Sequence, residues 1–255
     1  MKNPGLATNE RLEKIVNGVA VDNLFKTVDA IKATPSIAKF KFCIRNQWVG
    51  AGQSSSVADT FYGSGQEQLR SKPFVLEADE PPILLGKDMA ANPVEYLLHA
   101  LASCLTTSMV YHAAARGIQI AEVESSLEGD IDLHGFLQLD KNVRNGYQGI
   151  RVNFKIKADV SDSELQEIGQ LGPEHSPVFD SLSNGVPISV TAERMSHHGV
   201  STPTPGCSPV TSVQSWCADS SNPTAPKSPG CVRPSGSHRQ LRSGHPAPDP
   251  VADSK

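Results

Sequence analysis

The sequence predicts a mixed α+β domain in which a mostly antiparallel sheet packs on one long central helix. Segments 39–50 and 147–158 alternate apolar and polar residues with the period of two that is typical of half-buried strands. Residues 92–116 form a long apolar stretch with a helix-start signal before it and a helix-stop glycine after it. Because strands come both before and after this helix without regular alternation, an α+β arrangement is favoured over an α/β one.

The first part of the chain is expected to be helical and to lead into short strands. Residues 8–33 predict two helical pieces, with a break at Asn17-Gly18 and with Asp22 as the cap of the second piece. The strands predicted after it cover 39–50, 57–61 and 74–77, with the glycine-punctuated loop 62–68 among them.

The central helix has clear end signals. Asn92 is a good N-cap, Pro93 fits the first helical position, and Glu95 stands where a capping box places its acid. The helix is expected to run to Arg116 and to stop at Gly117, which gives a length of about 36 Å. Since the segment is apolar nearly all round, we expect it to be buried on most sides.

Two long strands at 118–131 and 147–158 are expected after the helix. The connection 132–146 between them is longer than a hairpin turn, a length typical of functional loops. Ser161 is expected to cap a helix through Leu171, and residues 186–193 to form the last strand.

Composition divides the chain into three expected parts. These are a helical extension at 1–37, a globular domain at 38–195, and a disordered tail at 196–255. The tail holds 10 of the 19 prolines and 12 serines and has almost no apolar periodicity, so it buries too little surface to offset its chain entropy. A partner-binding tail that makes the protein a structural subunit is the alternative.

Charge and motif content argue against several classes of function. The 23 Lys and Arg against 27 Asp and Glu give no basic excess, so no nucleic-acid partner is expected. No apolar run reaches the roughly 18 residues of a membrane span, and the polar start lacks a signal core, so we expect a cytoplasmic protein without a membrane partner. The five cysteines are odd in number and widely spaced, which does not indicate a disulfide framework. Without CxxC, HExxH or a phosphate-loop pattern, neither a metal nor a cofactor is expected.

Cys104 is the residue on which the functional prediction depends. It lies in the middle of the central helix, where the helix dipole gives little help in forming a thiolate. A reactive thiol there needs a cationic group from another element. The alternative is a packing role, since free cysteine is among the residue types most often buried.

Two motifs resemble the OsmC/Ohr family of thiol-dependent hydroperoxide reductases. The first is 92-NPVEYLLHALASCLTTSMVYHAAARGI-118, which is similar to the family's central helix with its reactive cysteine. The second is 175-HSPVFDSLSNGVPISV-190, which looks like the Cys-Pro-Val segment before the family's last strand. Order and spacing agree over roughly residues 39–194, and the N-terminal extension is similar to that of a longer OsmC-like subgroup.

The resemblance implies an OsmC-like fold: an intertwined homodimer whose paired central helices are wrapped by the sheets of both subunits. It implies a peroxidatic role for Cys104, whose thiolate attacks an organic hydroperoxide and becomes a sulfenic acid. The family's thiolate is held by an arginine from an early strand, and Arg45 is the best candidate here. A solvated strand position is the alternative for Arg45.

Two departures from the family leave alternatives open. Ser176 stands at the resolving cysteine, so turnover needs an external thiol reductant, or the protein is a non-catalytic stress or small-ligand-binding protein of this fold. Cys43 is a conceivable but unsupported stand-in. Glu95 stands one position after the glutamate of the Ohr branch, so it is an arginine partner or only a helix cap. Other acids that could pair with the arginine are Glu67, Glu77 and Glu80.

Overall fold

The computed structural model describes residues 13–195, all of which belong to one compact unit. Helices and antiparallel strands are mixed along the chain, which confirms the α+β class. The strands form three separate antiparallel sheets, whereas the sequence predicted a single one. The expected disordered tail, 196–255, lies outside the described residues. None of the helices within 13–195 is long and apolar enough to cross a membrane.

The N-terminal segment begins with a hairpin, so the helix predicted from residue 8 is wrong over its described first part. Strand β1 (Ile15–Val16) pairs with β2 (Val19–Ala20) around Asn17-Gly18, where both φ angles are positive, at 52° and 75°. Asn-Gly favours this tight turn, which outweighs the helical periodicity. Helix α1 (Val21–Ala33) follows, with Asp22 in its first turn instead of at the cap. A short 3-10 helix covers Pro35–Ala38.

The second sheet has β5 as its middle strand. Strand β6 pairs along one side of it, and β3 followed by β4 pairs along the other. Residues 43–44 interrupt the strand that was predicted as continuous over 39–50, and Ser64-Gly65 makes a two-residue turn. The bounds are β3 Lys41–Phe42, β4 Arg45–Gly50, β5 Gln53–Gly63 and β6 Gln66–Ala78.

This second sheet leaves its large apolar side chains uncovered. Among the described residues, none of the buried apolar side chains belongs to it. Phe42 is 71% exposed and Trp48 72%, and both lie in the segment 39–50, where half-burial was expected. Leu69 on β6 is 79% exposed. Within residues 13–195, no element packs over these apolar side chains.

Helix α2 (Pro93–Ala115) has the predicted caps. The Asn92 side chain accepts from Val94 N, the Glu95 carboxylate accepts from Asn92 N, and Gly117 has a φ of 76°. Burial is restricted to one stripe, in contrast to the expected burial on most sides, because no element of the described chain covers the other faces. The stripe comprises Leu101, Leu105, Met109, Ala113 and Ala114.

The core lies between α2, the third sheet and the helix that follows it. Strands β7 (Ile120–Asp130) and β8 (Gly149–Ala158) are paired along their whole length, as predicted. The connection between them contains the short helix α3 (Leu133–Phe136). Helix α4 (Asp162–His175) starts at the predicted Ser161 cap and runs one turn further than expected. The buried cluster consists of Met109, Ala113, Ile120, Ile168 and Leu171.

The last part of the described chain differs from its prediction. Helix α5 (Pro177–Asn184), capped by Ser176, was not expected. Residues 186–193 do not form the predicted strand, although their apolar residues alternate. The physical reason is that no described strand lies beside this segment to exchange hydrogen bonds with it. Ile188 and Val190 are consequently 82% and 88% exposed.

Candidate functional site

Cys104 is a free and half-buried thiol in the middle of α2. It lies twelve residues after the Asn92 cap, about 18 Å along the helix, where the dipole of the first turn has little effect. Cys43 is disulfide-bonded and so offers no free thiol as a stand-in for the resolving cysteine.

Ser176 lies close to the face of α2 that carries Cys104. Ser108, one helical turn after Cys104, donates its hydroxyl to the carbonyl oxygen of His175 at 3.3 Å. The adjoining Ser176 is 2% exposed, and its hydroxyl accepts from Phe179 N at 3.1 Å. The hydroxyl therefore caps α5 near the reactive position, a role that requires no sulfur.

A cavity of about 380 Å³ lies next to the turn of α2 that precedes Cys104. Its walls come from α2, from β8 with the residues before it, and from α5. The apolar side chains lining it are Leu97, Leu101, Ile150, Val152, Phe179 and Leu182. Leu101 and Leu97 precede Cys104 by one and two turns, and Cys104 itself is not among the residues that line the cavity. Its volume is within the range of small-molecule sites.

The structure gives Arg45 and Glu95 partners of their own and does not show either at Cys104. Arg45 on β4 forms an ion pair with Asp59 on β5, with 2.5 Å between Nη2 and Oδ2. Glu95 accepts from Asn92 N at 2.8 Å and is exposed, as in an ordinary capping box. Both roles that the resemblance implies for these two side chains stay predictions.

The alternative acids have other positions. The Glu80 carboxylate accepts a hydrogen bond from the Asn92 side chain. Glu77 contributes its backbone oxygen to the hydroxyl of Tyr96, at 2.6 Å. Glu67 is exposed next to the Ser64-Gly65 turn. The described contacts therefore single out none of them as the partner of an arginine near Cys104.

Arg70 on β6 is a second candidate cation, which the sequence analysis missed. Its guanidinium lies 5.1 Å from the ring centre of Phe61 and 5.0 Å from that of Phe74. Its Nε is buried without a hydrogen-bond partner. Stacking on two aromatic rings holds the group in place without neutralising its charge. The available signal is the spacing of Arg70 and Phe74, which puts both on one face of a strand.

The segment before α2 is fixed by the buried carboxylate of Asp79, which sequence reasoning also missed. Asp79 is 1% exposed and accepts from the backbone N–H groups of Glu80, Lys87 and Met89 and from the Gln53 side chain. Burial alone raises the pKa of this carboxyl, but the four hydrogen bonds together lower it below its usual range. The ionised group thus ties the loop that precedes α2 to the end of β6 and, through Gln53, to β5.

Two histidines stack further along α2. The rings of His112 and His175 have centres 3.6 Å apart and planes inclined by 12°. Burial first, and then the charges of His175 and Arg116, lower the pKa of His112, against a smaller opposite effect of Glu174. His112 lies two turns from Cys104, about 12 Å along the axis, which is too far for direct proton transfer.

Within residues 13–195, no three His, Cys, Asp or Glu side chains are grouped so as to hold a metal ion.

Residues 86–191 match the family model of the OsmC-like proteins, which confirms the resemblance over the central helix and the segments after it. No curated protein is similar enough to the chain to count as a relative.

Solved structures that resemble part of the chain include OsmC-like proteins. An OsmC-like protein from Mycoplasma pneumoniae is 17% identical, with a TM-score of 0.44 over 56% of this chain and 87% of that one. An organic hydroperoxide resistance protein OsmC from Legionella pneumophila is 14% identical, with a TM-score of 0.41 over 57% and 90%. The resemblance to the OsmC-like proteins rests on the sequence match of residues 86–191.

Proposed function

From the OsmC-like match of residues 86–191, we propose that this protein is a thiol-dependent reductase of organic hydroperoxides with Cys104 as its nucleophile. The observation that carries the proposal is a free, half-buried cysteine on α2, one helical turn after Leu101, which lines an apolar cavity. Such a cavity favours a hydroperoxide with an apolar body.

The reaction needs a thiolate and ends in a sulfenic acid. The sulfur of Cys104 attacks the terminal peroxide oxygen, the O–O bond breaks, and the leaving alkoxide takes a proton to become an alcohol. Because Ser176 forms no disulfide, one external thiol condenses with the sulfenic acid and releases water. A second external thiol then reduces the mixed disulfide and restores Cys104.

We further propose that the cation for the thiolate comes from the second sheet of a partner subunit, supplied by Arg45 or Arg70. An intertwined homodimer is supported by the uncovered apolar side chains of that sheet and by the unpaired alternating segment at 186–193. Arg45 already has the carboxylate of Asp59 beside it, whereas the described contacts of Arg70 are with aromatic rings. Arg70 therefore keeps more of its positive charge available for a thiolate than Arg45 does.

The enzyme proposal is tested by the consumption of tert-butyl hydroperoxide with dihydrolipoamide as reductant. Cys104→Ser is expected to abolish turnover, while Ser103→Ala, an exposed neighbour on the same helix, keeps it. One equivalent of peroxide should add one oxygen to Cys104, as detected by intact mass. Equal rates for wild type and Cys104→Ser would remove the claim of catalysis.

Mixed dimers identify the cation. If Arg70 acts across the interface, dimers of one Cys104→Ser and one Arg70→Gln subunit recover activity, because one complete site forms. If it acts within a subunit, the same mixture stays inactive. Arg45→Gln in place of Arg70→Gln decides between the two arginines. A monomeric mass at working concentrations contradicts the shared site.

A non-catalytic ligand-binding protein is the second candidate, and the helix-capping role of Ser176 favours it. Alkylation of Cys104 against pH separates the two candidates. A catalytic thiol is labelled fast well below pH 8.5, about the pKa of a free cysteine. Slow labelling with an ordinary pH profile supports the binding function.

A further inference from the structure

The cavity beside α2 has one charged side chain in its wall, that of Arg144, which comes from the long connection between β7 and β8. Among the described residues lining the cavity there is no Asp or Glu, and no ion pair within the described part of the chain includes Arg144. A guanidinium beside an apolar cavity and without a carboxylate of its own favours an anionic ligand group.

The backbone that carries Arg144 is fixed on both sides. On one side it packs against buried Gly135 of α3, so closely that a Cβ on Gly135 would lie 2.5 Å from the Arg144 carbonyl oxygen. On the other side, the Tyr147 hydroxyl donates to the carbonyl oxygen of Val94 at the start of α2, at 2.9 Å. These contacts hold the connection next to the cavity.

The size and shape of the cavity restrict the ligand further. At roughly 30 Å³ for each water-sized group, a volume of about 380 Å³ holds about a dozen heavy atoms. The six apolar side chains of the wall leave Arg144, Gln148 and Ser183 as its polar side chains besides Tyr147. One charged head and one apolar chain therefore match the site better than a sugar or a nucleotide.

We propose that this cavity binds a single-chain amphiphile whose carboxylate pairs with Arg144 and whose alkyl chain lies against α2 and α5. The chain then contacts Leu97 and Leu101 and ends beside the turn that carries Cys104. This deepens the proposed function, on which the link to peroxide chemistry rests. Binding itself needs no reaction at the thiol, so the two are tested separately.

The test is calorimetric titration of the full-length protein with octanoate and with 1-octanol, which share the alkyl chain and differ in charge. Because Arg144 is exposed, Arg144→Gln is expected to weaken octanoate binding by about twofold to fivefold, the range of a solvent-exposed ion pair, with little effect on octanol. Lys141→Gln is the matched control, because it removes one exposed positive charge from the same connection but lies outside the cavity wall. It should change neither affinity.

A second variant tests the charge directly. Arg144→Glu should exclude octanoate and bind octylammonium instead. Cys104→Ser should bind octanoate like the wild type, so a loss of turnover leaves this proposal standing. The proposal is overturned if octanoate binds no better than octanol, if Arg144→Gln binds octanoate unchanged, or if a second copy of the chain fills the cavity and octanoate does not bind.

Discussion

Replacing Gly135 by alanine tests how the connection that carries Arg144 is held in place. Gly135 is buried in α3 at helical backbone angles, so the backbone itself tolerates alanine. A Cβ there would lie 2.5 Å from the Arg144 carbonyl oxygen and 2.7 Å from that of Val143. Both distances are below the 3.0 Å that real Cβ atoms keep, and both neighbours are backbone atoms. The connection must therefore move.

Overpacking of this kind costs about 1–3 kcal/mol of unfolding free energy, beyond the small gain in helix propensity from alanine. Gly169 in α4 provides the matched control, because a Cβ on it meets nothing within 4 Å. Gly169→Ala should stabilise the protein by about 0.5–1 kcal/mol, since it removes the entropy cost of a helical glycine. The same chemical change is thus expected to have opposite signs at the two positions.

Thermal unfolding at one fixed protein concentration is the assay, because self-association also shifts the midpoint. For a domain of this size, 1 kcal/mol corresponds to about 2–4 °C. The Gly135→Ala midpoint should fall by several degrees and that of Gly169→Ala should rise slightly. Gly135→Ala should also weaken octanoate binding, because Arg144 moves with the connection. If the two variants unfold alike, the close approach at Gly135 is not what fixes the connection.

Two further predictions concern the core and the histidine stack. Leu105→Ala should lower the free energy of unfolding by about 2–5 kcal/mol, because the Leu105 side chain is only 1% exposed. The control Leu139→Ala, at an exposed position, should change it by less than about 0.5 kcal/mol. Equal urea midpoints for the two variants would contradict the assigned core. Burial and the charge of His175 lower the pKa of His112 in the folded state. As the pH drops below about 6.5, His112 is therefore protonated in the unfolded chain before it is protonated in the folded one, and the stability falls. His112→Gln should flatten that fall between about pH 7.5 and about pH 5, and His99→Gln, exposed on the same helix, should not.

Several features could be predicted because their signals lie within a few residues of one another. The caps of α2 at Asn92 and Glu95 are side chains that bond to the backbone of their own turn. The pairing of β7 with β8 follows from alternation along two neighbouring segments. Local signals failed where two of them competed, as at Asn17-Gly18, where turn formation outweighed helical periodicity.

The partners of the arginine side chains could not be predicted in the same way. The pairing of Arg45 with Asp59, the stacking of Arg70 between two phenylalanines, and the position of Arg144 at the cavity all join residues on different elements. No periodicity encodes such neighbours, because they depend on how strands align and how a loop folds back. A strand pattern at 186–193 likewise forms no strand without a neighbour to bond.

The sequence by itself determined the chemistry that is available: a single cysteine on a well-capped apolar helix, a serine at the resolving position, and α+β segments of definite periodicity. Only the tertiary structure decided which charges lie near which surfaces, since a guanidinium acquires its role from the groups packed around it. Capping and alternation act over one turn or one strand, whereas a cavity and its charged wall arise when distant segments meet.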